Sequence, residues 1–127
     1  MTEDRIIAGK AFRQKLMDDI ELETSTAETI KSESDKKKYI QTMENKVKKL
    51  KSMMDEMAEK SKSLGEEAKS EFEKKNEKLK EQYAETESKL DDVRQSGEDN
   101  WHKFKDNASQ AWHSLADGVK NAVNSFR

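Results

Sequence analysis

The chain has 127 residues, 41 % of them charged, yet 25 Lys and Arg against 27 Asp and Glu leave a net charge of only −2. Leu, Ile, Val and Phe fill just 20 positions, too few for a thick globular core, whereas Ala, Glu, Lys, Leu and Arg fill 59, close to the roughly half expected of long helices and coiled coils. Cysteine is absent, which excludes disulfide and thiolate chemistry; proline is absent and glycine occurs four times, so little interrupts a helix once it begins.

Between Met1 and Phe12 no apolar run exceeds Ile6-Ile7-Ala8, so neither a signal peptide nor a membrane span is predicted there, and a cytoplasmic location is expected. Residues 1–34 form a first zone. Thr2 can cap a helix from about Glu3 to Leu22, with Ile6 or Ile7, Leu16 and Ile20 toward one side. A Ser/Thr-rich connection follows through Thr24-Ser25-Thr26 and Ser32-Glu33-Ser34-Asp35, rich in N-cap candidates. Charge segregates here: residues 17–35 hold seven acids and one lysine, and residues 36–51 hold seven lysines and Glu44 alone.

The second zone, 35–97, carries a coiled-coil pattern. Met43, Leu50, Met57 and Leu64 recur every seven residues, as do Ile40, Val47, Met54, Ser61 and Ala68, giving the 4-3 alternation of a helical seam. The frame slips between Ala68 and Phe72 and resumes as Phe72, Leu79, Thr86 and Val93 with Asn76, Tyr83, Leu90 and Gly97. Four inserted residues are a stutter, which unwinds a left-handed supercoil. The spacing predicts one long helix over about 36–94. Gly65 is the weaker candidate for a break, because the heptads pass through it, and Gln95–Asp99 the stronger, where Ser96 could cap a new helix with Asp99 three residues on. The chain either continues or folds back after Gly97.

The third zone, 98–127, repeats every eleven residues: Asn100-Trp101-His102-Lys103-Phe104, Ala111-Trp112-His113-Ser114-Leu115 and Ala122-Val123-Asn124-Ser125-Phe126. Eleven steps of about 100° return to within about 20° of the start, so one apolar stripe runs along the helix. Its expected interaction residues are Trp101, Phe104, Trp112, Leu115, Val119 and Phe126, with Ala108 and Ala122 between them. Ordering about 28 residues costs roughly 1.5 kcal/mol each, more than burial of five large side chains returns, so the stripe needs a partner surface. That surface is another part of the chain, a second copy or an apolar interface. The expected fold is therefore all-α: a long coiled-coil helix with a heptad-to-hendecad transition, self-associating through its seam. Four methionines within about four turns (Met43, Met53, Met54, Met57) make the seam adaptable.

Few residues invite chemistry. His102 and His113 each have an Asp four residues on, but lie eleven residues apart, about 16 Å along a helix, too far to share an ion. They are read as flanking a packed stripe, and no metal or other cofactor is expected. The lysine run 36–51 has only Tyr39 among it and no arginine, so nucleic acid is not an expected partner; a solvated face pairing with the acidic stretch before it is the simpler reading. There is no Gly-rich phosphate loop and no strand–turn–helix setting for a nucleophile, so no enzyme is expected.

The pattern Trp101-x2-Phe104-Lys105 followed by Ala111-Trp112-x2-Leu115-x2-Gly118-x3-Ala122, behind a Lys/Glu-rich helical stretch, resembles a family of small bacterial coiled-coil stress-response proteins first named from a cyanobacterial member. The likeness covers about residues 36–126, and its specific part is the Trp/Gly motif. It implies a soluble, helical, non-enzymatic protein of the stress-response or scaffolding kind, acting by helix–helix association. The eleven-residue period is also similar to that of apolipoprotein-like and desiccation-protein helices. Trp and Phe on an amphipathic face supply the alternative, a coat protein bound peripherally to lipid or storage granules.

Overall fold

The computed structural model describes the backbone of residues 2–25 and 34–126 and the side chains of residues 11–24 and 34–126. These stretches form four helices, α1 (Thr2–Ser25), α2 (Lys36–Lys60), α3 (Glu66–Gln95) and α4 (Trp101–Val123), with a 3-10 turn at Ser61–Ser63. No strand occurs among the described residues. The expected capping by Thr2 and most of the Ser/Thr-rich connection lie outside the described side chains. Where description resumes, Asp35 takes an extended backbone and its carboxylate accepts from the Lys38 amide at 3.2 Å, so the last N-cap candidate of that stretch starts α2.

The single helix predicted over 36–94 is not formed. At its middle the Ser61 and Ser63 hydroxyls donate to the Ala58 and Lys60 carbonyls, and Gly65, in extended backbone, begins α3. Serines that bond preceding carbonyls compete with the helical ladder. The larger reason is the seam itself. Folding back gives each half of the heptad pattern an apolar partner in the same chain, at an effective concentration that a second molecule must match from solution. Leu64 stays half-buried against the core, so the apolar positions carry through the turn while the helix axis reverses.

The chain also reverses at Gly97. Ser96 does not cap the following helix as its spacing suggests. Its hydroxyl donates to the Val93 carbonyl at 2.6 Å and its amide closes onto Asp92 and Val93, so it terminates α3. Asn100 precedes α4 without a side-chain cap, and the Trp101 amide donates to the Gly97 carbonyl at 3.0 Å. Lys36 at the start of α2 donates from Nζ to the carbonyls of Arg94 and Ser96, covering the open C-terminal end of α3.

Cross-links fix an up-down-up-down order. Lys15 pairs with Glu56 and Glu23 with Lys46, so α1 and α2 are antiparallel; Thr86 bonds the Ala111 carbonyl and Lys75 the Asn121 carbonyl, so α3 and α4 are antiparallel. Tyr39 and Lys46 of α2 meet Trp101 and Trp112 of α4, so these two run parallel. α4 packs on all three other helices, whereas α1 and α3 are not adjacent. One apolar cluster runs through the bundle, from Leu16 and Ile20 through Tyr39, Met43, Leu50 and Met57 to Phe72, Leu79, Leu90 and the α4 stripe.

Candidate functional site

The eleven-residue stripe of α4 points inward. Trp101 is 2 % exposed, Trp112 1 % and Leu115 and Val119 fully buried, and Phe126 lies just past the helix end at 3 %. Phe104 is half-buried at the margin. Phe126 ties the two non-adjacent helices together: its ring stands edge-on to Phe12 of α1 at 5.3 Å and to Phe72 of α3 at 5.4 Å. The six interaction residues thus line one core instead of an open surface. Among the described residues Leu22 is the only large hydrophobic left exposed.

Two lysines lie inside with them, which the apolar periodicity does not reveal. Lys46 is 6 % exposed, with Nζ 5.2 Å from the Trp112 ring centre; Lys105 is 7 % exposed, with Nζ 5.5 Å from Trp101 and 6.0 Å from Tyr39. Each tryptophan of the stripe therefore carries an ammonium over its face, an arrangement that is attractive and gains strength out of water. The only sequence signal was position. Lys46 adjoins seam residue Val47, and Lys105 follows Phe104.

Around Lys46 the helices build a compact ionic cluster. Glu23 of α1 is 5 % exposed and accepts from Lys46 Nζ at 3.0 Å and from Lys49 Nζ at 2.9 Å, and its backbone carbonyl accepts from Lys46 at 2.8 Å. The Glu23 hydrogen bond, with its charge, raises the Lys49 ammonium above the usual lysine range. A buried carboxylate is tolerable only when ions and hydrogen bonds compensate it, and here two ammoniums do so. The lysine run and the acidic stretch before it thus meet in space. Beside this cluster the buried Nε1–H of Trp112 has no acceptor among the described residues. That omission costs on the order of 1–3 kcal/mol.

A second polar knot joins α2 to α4. The Tyr39 hydroxyl donates to the Lys105 carbonyl at 2.9 Å and meets Ser109 Oγ at 2.8 Å; its one proton being committed, Ser109 is the donor in the second bond. Burial pushes the phenol up to about 12, against the Ser109 bond and with help from the Asp106 charge. The knot ties the first turn of α2 to the middle of α4.

His102 is exposed and stacks on neighbouring Trp101 at 4.1 Å, and His113 is half-buried with its ring edge toward Trp112. No group of three or more His, Asp or Glu among the described residues could hold a metal ion. Nor is any described helix long and apolar enough to cross a membrane. The groove between α3 and α4, about 290 Å³, is lined by Lys75, Lys78, Gln82, Ser114, Asp117 and Asn121, a mixed-charge set with no convergent chemistry. The arrangement packs four helices around one apolar cluster with two buried lysines. Comparison with protein-family models, with curated proteins and with solved structures found no match.

Proposed function

We propose that this chain is a non-enzymatic helix-association protein, of the stress-response or scaffolding kind that its Trp/Gly motif suggests, and that it works by lending its seam to other helices when α1 moves aside. The observation that carries this reading is the uneven attachment of the helices. α4 buries eight apolar side chains, and α3 folds against it as a hairpin. Over the described residues α1 is the most lightly engaged helix, with Leu16 and Ile20 alone fully buried, about 3–6 kcal/mol of apolar burial. Losing α1 leaves the hairpin and its pairing with α2 intact and opens the Trp112 end of the seam. A six-methionine chain repacks readily around a new neighbour.

Light scattering and circular dichroism of the parent and of Ile20→Asp test it. The parent stays small at low concentration, and Ile20→Asp keeps its helix but self-associates, a gain that Trp112→Asp removes. An Ile20→Asp chain that remains helical and monomeric at high concentration would sink the reading.

One observation favours a second reading, the amphipathic coat. Lysine above tryptophan is the pairing that seats helices at a lipid headgroup layer, with the ring in the acyl boundary and the ammonium among phosphates. Flotation with anionic vesicles tests this reading. Binding by the parent that disappears in Lys46→Glu supports a coat, and absence of binding at low ionic strength excludes it.

A further inference from the structure

The surface beneath α1 has a readable code, and α1 itself is its printed copy. We infer that this surface is a receptor for an amphipathic helix with apolar residues at i, i+4 and i+8 and a carboxylate at i+11, the carboxylate being received by Lys46 and Lys49 beside Trp112. The inference rests on the reading that α1 can be displaced, and it names what takes its place.

In α1 the four positions are Phe12, Leu16, Ile20 and Glu23. At about 100° per residue they fall within one 80° stripe, so a single helix face presents them all. Leu16 and Ile20 enter the core completely, and Phe12 meets the Phe126 ring at 5.3 Å. Glu23 then lies three turns beyond Phe12 on nearly the same line, against two ammoniums at 2.9 and 3.0 Å. The far end is keyed by opposite charge, Lys15 facing Glu56 at 3.8 Å. The buried carboxylate sets the direction: an occupant runs antiparallel to α2, because a reversed helix would carry its acid away from Lys46 and Lys49. The site rejects helices as well as accepting them. A lysine at i+11 would be driven into a nearly dry space already holding the Lys46 ammonium, where like charges are screened poorly.

Pattern alone makes the receptor selective. Within this sequence the spacing occurs only in α1, as Phe12-Leu16-Ile20-Glu23 and one turn earlier as Ala8-Phe12-Leu16-Asp19. The apolar stripes of α2 and α4 lack the terminal acid in that register, so the chain's other helices do not compete for the groove.

The test uses full-length Ile20→Asp, whose α1 is displaced, and a fluorescent peptide spanning residues 8–25, read by anisotropy. Hydrogen exchange in α1 first reports displacement, and unchanged protection there would refute the displacement reading itself. With α1 displaced, the parental peptide binds, a Glu23→Lys peptide binds at least tenfold more weakly, and a peptide of the same composition with the stripe scrambled does not bind. Should Ile20→Asp unfold the bundle, Ile20→Ala replaces it and the same peptide ranking is required. Equal affinity for the Glu23 and Glu23→Lys peptides overturns the inference. So does a displaced protein that ignores the peptide and instead floats with phosphatidylserine vesicles, which would assign the opened surface to lipid.

Discussion

The Tyr39 hydroxyl and Ser109 Oγ meet at 2.8 Å across 70 positions of sequence, locking the first turn of α2 against the middle of α4. Because burial holds the phenol at about 12 in the folded chain, against about 10 unfolded, the folded state keeps its proton longer. Stability from this group is complete below pH 10 and is lost as pH rises through 10 toward 12, by about 2–3 kcal/mol. Tyr39→Phe should cost about 1–2 kcal/mol at pH 7 by stranding its hydrogen-bond partners. Its disadvantage should then shrink, or reverse, by pH 12. Urea melts of both proteins at pH 8, 10 and 11.5 check this, and a gap that widens with pH contradicts it.

Trp112 and His113 are sequence neighbours with opposite fates. Trp112→Ala removes a ring that is 1 % exposed and should cost about 3–5 kcal/mol, offset slightly by deletion of its unpaired Nε1–H. His113→Ala removes only an edge contact and should stay below about 1 kcal/mol. Thermal melting ranks them directly. A larger loss from the histidine change, or a melting point raised by zinc, would point to metal chemistry instead of packing.

The glycines should respond to alanine with opposite signs. A Cβ at Gly118 would stand 2.8 Å from Leu79 Cδ2 and also against the Gln82 side-chain oxygen. Leu79 is 1 % exposed and cannot withdraw, so overpacking of about 1–3 kcal/mol outweighs the roughly 1 kcal/mol of improved helix propensity. At Gly65 a Cβ meets nothing within 4 Å and the backbone is extended, so Gly65→Ala should stabilise by about 0.4–1 kcal/mol through the unfolded chain. Denaturant midpoints of the two variants decide it. Adding Gln82→Ala to Gly118→Ala should recover only part of the loss, since Leu79 remains in the way.

Among the described residues Phe126 is the one ring stacked edge-on against both α1 and α3, two helices that are not otherwise adjacent. Phe126→Ala should cost about 3–5 kcal/mol globally. It should also raise hydrogen exchange in α1 more than in α4, since Leu16 and Ile20 are the only fully buried apolar side chains among the described residues of α1. Uniform loss of protection across all four helices would refute the idea that α1 is attached independently.

Periodicity was enough to establish that the chain is helical and which side chains avoid water, because a 3.5- or 3.67-residue apolar repeat can satisfy only a helix face. Trp101, Trp112, Leu115, Val119 and Phe126 were legible as buried for that reason. The turn at Gly97 was one of two readings of the same residues, and the turn at Ser61–Gly65 was masked by heptads that run through it unbroken. A seam pattern records that an apolar face needs a partner, not where the partner comes from. Only the tertiary structure decided that, by supplying the partner within the same chain, where closing a short loop is cheaper than recruiting a second molecule. That the lysine run pairs with the acidic stretch before it was legible from charge segregation, but on a solvated face; the burial of Glu23 and Lys46 was not, because a charge enters a core only when a compensating charge arrives from another helix, and that coincidence exists in space alone.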